Sequence, residues 1–300
     1  MSQPPPPSTR IFGVVARASP RVVLIRRGPS KQVLLLTWDT IRHQFHAGQW
    51  FKGRIYEERC DVSPSGEKLI YLAANEKPPL RSWTAVSRPP FLTALCLWQN
   101  LGTWGGGGLF ESERVIALNK MGGVNPAEGF RIPKDVRAVP IAPWAGRGED
   151  EPIASLRMKR DGWVLADPGS RTEYKRGEKY SWEFVRAERW RKTCGKATLE
   201  RRLLGIHEHN GPWYAYEHSL FDPDGNLVHD LGRSDWADWS ISGELLFARE
   251  GRVYRVPVDR HGKAGGVDEL IDLRSLKFEQ VPPPPAAMTW NERVTGRRIT

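Results

Sequence analysis

Short runs of alternating apolar and polar residues, each ended by a tight-turn signal, recur along the whole chain. Asn210-Gly211, Asp222-Pro223-Asp224-Gly225 and Glu250-Gly251 place glycine where a hairpin turn requires a positive φ. The runs on either side of such turns predict paired strands. We predict strands over residues 21–27, 31–39, 54–62, 68–74, 163–165, 213–221, 226–231, 245–249 and 253–258. With little helical periodicity between them, these hairpins favour an all-β fold.

Residues 182–205 (WEFVRAERWRKTCGKATLERRLLG) contain good helix formers and are the one ambiguous segment. Thr193-Cys194-Gly195 divides the segment into two pieces of strand length. Alternation through Trp182 and Phe184 is compatible with paired strands. We therefore predict two strands in this segment rather than a helix.

The sequence also contains an internal repeat. Ser63-Pro64-Ser65-Gly66-Glu67 has a partial copy at Ser240-Ile241-Ser242-Gly243-Glu244. The separation equals about four units of roughly 44 residues, the length of a β-propeller blade. Residues 60–73 (CDVSPSGEKLIYLA) and 236–258 (WADWSISGELLFAREGRVYRVPV) resemble the blade motif of TolB-like and WD40-like propellers, and residues 221–231 are a poorer third copy. The resemblance implies a β-propeller-like array of four-stranded antiparallel units, with a large β-sandwich as the alternative.

Proline-rich segments divide the chain. Residues 1–10 and 282–300 each contain a run of prolines, which predicts a disordered N-terminus and a C-terminal tail. Residues 11–281 are predicted to form a single β-propeller-like domain, in which a strand near residues 11–15 pairs with the last blade to close the ring. Residues 100–155 lack the blade motif and are predicted to be a Gly/Pro-rich insertion.

Hydropathy and cysteine usage limit the compartment. No stretch approaches the roughly 18 apolar residues of a membrane span, and the N-terminus lacks the basic-then-apolar order of a secretory signal. Cys60, Cys96 and Cys194 lie far apart, which argues against a disulfide framework or a cysteine-based zinc site. We therefore predict a cytoplasmic protein without a membrane partner.

The glycine run after Trp104 is the most unusual segment. A phosphate-binding loop needs a helix and usually a Lys-Ser/Thr pair after the glycines, but Leu109-Phe110-Glu111 follows this run. The run therefore predicts a surface loop, or glycines packed closely against another backbone. The candidate loop residues are Trp104, Gly105, Gly106, Gly107 and Gly108.

Two histidine pairs have spacings that could ligate a metal. His207 and His209 would share a face of a strand, and His43 and His46 are three residues apart. A zinc site needs three or four ligands, and the sequence places no third one. We therefore expect neither a metal site nor a cofactor.

An acidic and aromatic cluster occupies residues 235–239. Asp235, Trp236, Asp238 and Trp239 alternate carboxylates with rings, as a sugar-hydrolysing site would. The same pattern suits a structural corner between strands, and we favour that interpretation.

A basic stretch with an aromatic residue occupies residues 186–202. Such side chains could follow a phosphate backbone and stack on a base, in a chain whose net charge is +10. The alternative is a solvated strand pair in which Glu188 and Glu200 dilute the charge. The candidate residues are Arg186, Arg189, Trp190, Arg191, Lys192, Arg201 and Arg202.

Taken together, these patterns favour a non-enzymatic binding or scaffold protein that presents its loops to a protein partner. The reason is a well-patterned β framework without a convincing catalytic constellation. Nucleic-acid binding through residues 186–202 is the first alternative. A carbohydrate-type hydrolase using Asp235 and Asp238 is the second.

Overall fold

The computed structural model describes residues 9–29 and 31–300. Strands form most of the regular structure, and the α-helix has eight residues, so the predicted all-β class is confirmed. The predicted disordered N-terminus lies outside the described residues over positions 1–8. Within the described chain, no helix has the length and hydrophobicity that crossing a bilayer requires.

In chain order, the elements are β1 (Arg10–Val15), β2 (Arg21–Arg27), β3 (Gln32–Asp39), β4 (Gln44–Lys52), β5 (Arg54–Ile55), a 3-10 turn (Glu57–Arg59), β6 (Asp61–Val62), β7 (Leu69–Ala74), β8 (Ser82–Ser87), β9 (Ala94–Gln99), β10 (Gly108–Ser112), β11 (Val115–Leu118), β12 (Arg137–Pro140), α1 (Ile153–Arg160), β13 (Val164–Asp167), β14 (Ser170–Arg171), β15 (Tyr180–Cys194), β16 (Ala197–Glu208), β17 (Tyr214–Phe221), β18 (Leu227–Arg233), β19 (Trp236–Trp239), β20 (Leu245–Arg249), β21 (Arg252–Val256), β22 (Asp268–Asp272), a 3-10 turn (Pro285–Met288) and β23 (Arg297–Ile299).

The chain forms two compact units, where the sequence predicts one domain over residues 11–281. Unit 1 comprises Met1–Arg157 and Ser275–Thr300, and unit 2 comprises Met158–Arg274. Unit 2 is therefore a continuous segment inserted into the chain of unit 1. The chain passes between the units after Arg157 and again after Arg274. Neither point lies in a proline- or glycine-rich linker, so the local sequence does not indicate a boundary.

The C-terminal segment is part of unit 1 and not a detached tail. Its last strand, β23, pairs with β4 at the edge of the first sheet. The buried Arg88 side chain donates hydrogen bonds to the carbonyls of Thr289 and Trp290, and Ala287 is fully buried. These contacts fix a proline-rich segment that composition alone predicts to be an extended spacer.

The described residues of unit 1 form three sheets. The first has the strand order β1-β2-β3-β4-β23, the second β5-β7-β8-β9 with β6 also on β7, and the third β10-β11-β12. β1 pairs with β2, not with a strand from the end of the domain as predicted, and it is β23 that brings the C-terminal end of the chain into this sheet. The described strands of the protein form five separate sheets, and they do not close into a propeller.

The second sheet is the middle layer of unit 1. All six residues of β7 are buried, which a strand shows when both of its faces are covered. Leu69 and Tyr71 pack in a cluster with Val23 and Leu35 of the first sheet, whereas Ile70 packs in a cluster with Phe110 of the third. Alternate residues of one strand therefore build two cores.

The predicted insertion at residues 100–155 is also part of this layered core. It supplies β10, β11 and β12, and the β11–β12 pair is parallel. A parallel pair needs a long crossover, which residues 119–136 provide. Ile116 and Leu118 are buried against the second sheet. The blade motif is absent from this region because its sheet is not an antiparallel meander.

Unit 2 contains two sheets around one core. Their orders are β13-β15-β16-β17-β18, with β14 also on β15, and β19-β20-β21-β22. β15 and β16 form a long hairpin, so the prediction of strands over residues 182–205 is confirmed. Trp190 and Leu199 from the first of these sheets pack in one cluster with Trp239 and Phe247 from the second.

Four turns in the described chain share one hydrogen-bond pattern. In each, the carbonyl of a Ser or Asp accepts from the N–H of a glycine three residues later, and this glycine has a positive φ. The turns at Ser63 and Ser240, paired by sequence, are also similar in structure, since each serine hydroxyl contacts a second one at Ser65 and Ser242. The four pairs are Ser63–Gly66, Asp222–Gly225, Ser240–Gly243 and Asp259–Gly262. The turn at Asp259 was not among those predicted from sequence.

The core of unit 2 also holds a neutral histidine. His218 is 1% exposed, and its Nδ1 lies 2.8 Å from the hydroxyl oxygen of Ser234. Burial, with a smaller contribution from the Arg201 charge, lowers the pKa of His218 from 6.5 to about 3. The unfolded chain therefore binds a proton at His218 below about pH 6.5, and the folded chain does not until near pH 3.

We predict that His218 makes the protein less stable as the pH falls. Between pH 7.5 and 5.0, His218 should remove about 2 kcal/mol from the free energy of unfolding, because each pH unit below the unfolded pKa costs up to about 1.4 kcal/mol. Urea denaturation of wild type and of His218→Asn at both pH values measures this difference. Equal pH dependence in the two proteins would contradict the prediction.

Candidate functional site

An open pocket of about 530 Å³ lies in unit 1, beside the glycine run. Its volume falls within the range of roughly 300–1,000 Å³ that ligand sites in proteins have, and its surface is mostly apolar. We call residues 101–107 the glycine loop. The pocket is lined by Gln99, Asn100, Leu101, Gly102, Trp104, Gly105, Gly106, Lys120, Met121, Gly122 and Gly146.

Three large apolar side chains around this pocket are exposed to solvent. Leu101 is fully exposed, Trp104 is 62% exposed and Met121 is 60% exposed. Single exposed apolar residues are ordinary, but three around one concave surface are typical of an interaction site. Trp104 and Gly105 are two of the predicted candidate loop residues. Leu101 and Met121 were not predicted.

The glycine loop is held in place by a buried arginine. Arg59 is 2% exposed, and its Nη1 donates to the carbonyls of Thr103, at 2.6 Å, and Trp104, at 3.1 Å. Its Nε donates to Asp150 Oδ1 at 2.6 Å, which neutralises the buried charge. Trp104 therefore extends from a backbone whose carbonyl groups are fixed.

Arg59 is the last of three charged residues in one 3-10 turn, and each has its own ionic partner. Glu57 pairs with Arg27 at 2.6 Å, and Glu58 pairs with the buried Arg157 at 2.7 Å. The turn therefore connects β2, α1 and the segment before α1 with the glycine loop. The pairs of Glu58 and Arg59 are buried, the pair of Glu57 is partly exposed, and together they position the groups that they join.

A second set of buried polar groups holds the other end of the loop. Asn119 is fully buried; its carbonyl accepts from Gly106 N at 2.7 Å, its N–H donates to Gly107 O at 3.0 Å, and its Oδ1 accepts from Gly146 N at 2.6 Å. The hydroxyl of Thr84, 1% exposed, accepts from Gly107 N at 2.8 Å. Asn119 thus joins three segments that line the pocket.

The glycines of the run serve this close packing. Gly107 has φ +82°, and a Cβ placed on it would lie 2.5 Å from the carbonyl oxygen of Arg59. A Cβ on Gly108 would lie 2.3 Å from the carbonyl oxygen of Ala117. Of the two predicted roles, surface loop and close backbone packing, the first applies to the exposed Trp104 and the second to Gly107 and Gly108, which are buried. A Cβ on Gly105 would also lie against a backbone, 3.0 Å from the carbonyl oxygen of Gly146, whereas the buried Gly106 packs against the side chain of Asn100.

The predicted basic surface lies on β15 and β16, where acidic side chains accompany most of its cations. Arg186 and Arg189 share Asp167, and the other pairs are Arg191–Glu200, Lys192–Asp238 and Arg202–Glu217, all between 2.6 and 3.5 Å. Arg201 lies over the Tyr216 ring. Trp190 is 6% exposed and belongs to the core, so it cannot stack on a base in the folded protein.

The predicted acidic and aromatic cluster is mainly structural. Trp236 and Trp239 are buried, and the Trp239 indole donates to the carbonyl of Lys192. Asp238 accepts from the ammonium group of Lys192 at 2.6 Å, and the N–H of Asp235 pairs with Ala248 at the start of β19. No aromatic face of this cluster is open to a sugar ring.

The two histidine pairs are not arranged as metal sites. His207 has a positive φ of 57°, which breaks the strand alternation that would place it beside His209. Its Nδ1 lies 2.7 Å from the Ser181 hydroxyl oxygen, and its ring packs on Trp213. Within residues 9–29 and 31–300, no three metal-ligating side chains are grouped, including those near His43 and His46.

The three cysteines are free thiols. Burial raises the pKa of Cys96 to about 12 and also raises the pKa values of Cys60 and Cys194. Thiolate formation is therefore suppressed at neutral pH, and these side chains act as small apolar groups.

Comparisons of the chain with protein-family models, with curated proteins and with solved structures found no match. The candidate site therefore rests on geometry alone. Its main components could not be found from sequence, because Arg59 and Asp150 are 91 residues apart and Met121 lies in a separate loop. The one available signal was the glycine run after Trp104.

We predict that Gly107→Ala destabilises unit 1 more than Gly123→Ala does. Both glycines have a positive φ, which costs about 1 kcal/mol or more for alanine, but a Cβ on Gly123 meets nothing within 4 Å. The clash with Arg59 should add about 1–3 kcal/mol at Gly107. Urea denaturation of the two variants measures the difference, and equal losses would show that the backbone contact is not tight.

Proposed function

We propose that this protein is a non-enzymatic binding or scaffold protein of propeller-like, four-stranded units, and that a pocket of unit 1 receives a protein partner. The observation that carries the proposal is the exposed set Leu101, Trp104 and Met121 around a pocket of about 530 Å³. In three sheets, four strands that are consecutive in the chain pair side by side, namely β1 to β4, β15 to β18 and β19 to β22, and this arrangement supports the propeller-like part of the proposal.

The energetics of this pocket favour association with another protein. Burying one large apolar side chain contributes about 1.5–3 kcal/mol, and a tryptophan at the centre of an interface often contributes more. The backbone under Trp104 is already fixed by Arg59, so little ordering entropy is lost on binding. An apolar, preorganised and open surface is well suited to an exposed segment of a partner.

The lining of the pocket favours binding over acid–base chemistry. Of the described residues that line it, Lys120 is the one titratable side chain, and the rest are apolar, amide-bearing or glycine. General acid–base catalysis uses groups whose pKa values are matched to proton transfer, often as a pair. The proposed compartment is the cytoplasm, since a reducing environment suits three free thiols.

We predict that binding of the protein partner depends on Trp104. Trp104→Ala should weaken capture of the partner by about 10-fold or more, because a Trp in such a position is an interface hot spot. Ile41→Ser is the matched control, since Ile41 is 63% exposed in the same unit but does not line the pocket. Affinity capture from nuclease-treated extract, quantified by mass spectrometry, measures both variants beside wild type.

The comparison of partner capture by wild type, Ile41→Ser and Trp104→Ala tests the proposal. A stoichiometric protein that wild type and Ile41→Ser retain and Trp104→Ala loses would support it. A protein captured equally by all three would contradict the use of this pocket. Binding that disappears with nuclease would instead favour the alternative of nucleic-acid recognition, and turnover of a glycoside panel would favour a hydrolase. Thermal unfolding of Trp104→Ala checks that the fold is unchanged.

A further inference from the structure

Lys120 places a positive charge on the wall of the apolar pocket. Its ammonium group donates to the carbonyl of Met121 at 3.1 Å. Within the part of the chain that the structure describes, Lys120 is in none of the ion pairs, whereas the buried cations Arg59 and Arg157 of the same unit each pair with a carboxylate. The pocket thus combines exposed apolar side chains with a cation whose ionic partner is not supplied by the described chain.

The backbone at Lys120 is held close in the hydrogen-bond network to the backbone at Trp104. Lys120 follows Asn119, whose backbone N–H and carbonyl bind the backbone of Gly107 and Gly106. Trp104 is connected to the same backbone through Gly105 and is anchored by Arg59. The backbones of Lys120 and Trp104 therefore belong to one hydrogen-bonded frame, and the lysine ammonium group extends from this frame on rotatable bonds.

We propose that the occupant of the pocket is a partner segment that has an aromatic or large aliphatic side chain next to a carboxylate. The apolar side chain packs among Leu101, Trp104 and Met121, and the carboxylate pairs with the Lys120 ammonium group. Charge complementarity selects an acidic segment over a neutral or basic one. This inference rests on the proposed function and specifies the chemistry of the partner.

The carboxylate can come from an Asp or Glu side chain or from a chain terminus, and both sources provide the same acceptor. Two pairs of probes separate them. Acetyl-Trp-Asp-amide is compared with acetyl-Trp-Asn-amide for a side-chain carboxylate. N-acetyltryptophan is compared with N-acetyltryptophanamide for a terminal one. Within each pair the indole group is the same and the negative charge differs.

We predict that at least one carboxylate probe binds the full chain about 3- to 10-fold more tightly than its neutral counterpart, as expected for a partly exposed charged hydrogen bond. Ligand-observed NMR titration measures the four dissociation constants. Lys120→Gln should abolish the preference for the carboxylate, and Lys120→Arg should keep it. The preference should also decrease between about 50 mM and about 500 mM salt, because exposed charges are screened.

The outcomes separate this inference from the proposed function. Equal binding of charged and neutral probes, or a preference that persists in Lys120→Gln, overturns the assignment of a carboxylate and leaves Trp104-dependent capture of a protein intact. Absence of binding by all four probes also overturns it. The proposed function fails if the captured protein is insensitive to Trp104→Ala, if its capture disappears with nuclease, or if the protein turns over a glycoside. Circular dichroism of the Lys120 variants verifies folding.

Discussion

The position of the pocket depends on the ion pair between Arg59 and Asp150. A guanidinium group that is 2% exposed is tolerated only with a carboxylate beside it and hydrogen bonds to its remaining N–H groups. The Arg59 Nη1 group donates to the carbonyls of Thr103 and Trp104. The electrostatic requirement of one buried charge therefore determines where an exposed aromatic side chain lies.

Two of the polar groups that hold the glycine loop come from a strand that builds the core. Ser82 and Thr84 belong to β8, and both are 1% exposed. The Ser82 hydroxyl donates to Gly102 O at 2.8 Å, while Thr84 accepts from Gly107 N. Because the second sheet is packed between two others, the hydroxyl groups of Ser82 and Thr84 have fixed positions next to the glycine loop. The glycine loop is therefore held directly by the rigid core of unit 1.

Local features of the sequence predicted local structure well. The hairpins and the strand assignment of residues 182–205 were readable, because turn residues act within a few positions of themselves. The division into two units could not be predicted from the sequence, since no local sequence feature indicates that the chain returns to unit 1 at Ser275. Which tryptophans are exposed could likewise not be predicted from the sequence. Trp104 is exposed, whereas Trp190 and Trp239 are buried by contacts with a second sheet.

The insertion of unit 2 into the chain of unit 1 has a consequence for the order of folding. β23 must find β4 across about 250 residues, since Arg297 pairs with Ala47, and contacts of such high sequence separation form slowly. During synthesis, the whole of unit 2 leaves the ribosome before β23 does, so the edge of β4 lacks this partner for that interval. An unpaired strand edge is a template for wrong pairing with another chain. We therefore expect this protein to be most prone to wrong strand pairing during synthesis, in the interval before β23 emerges.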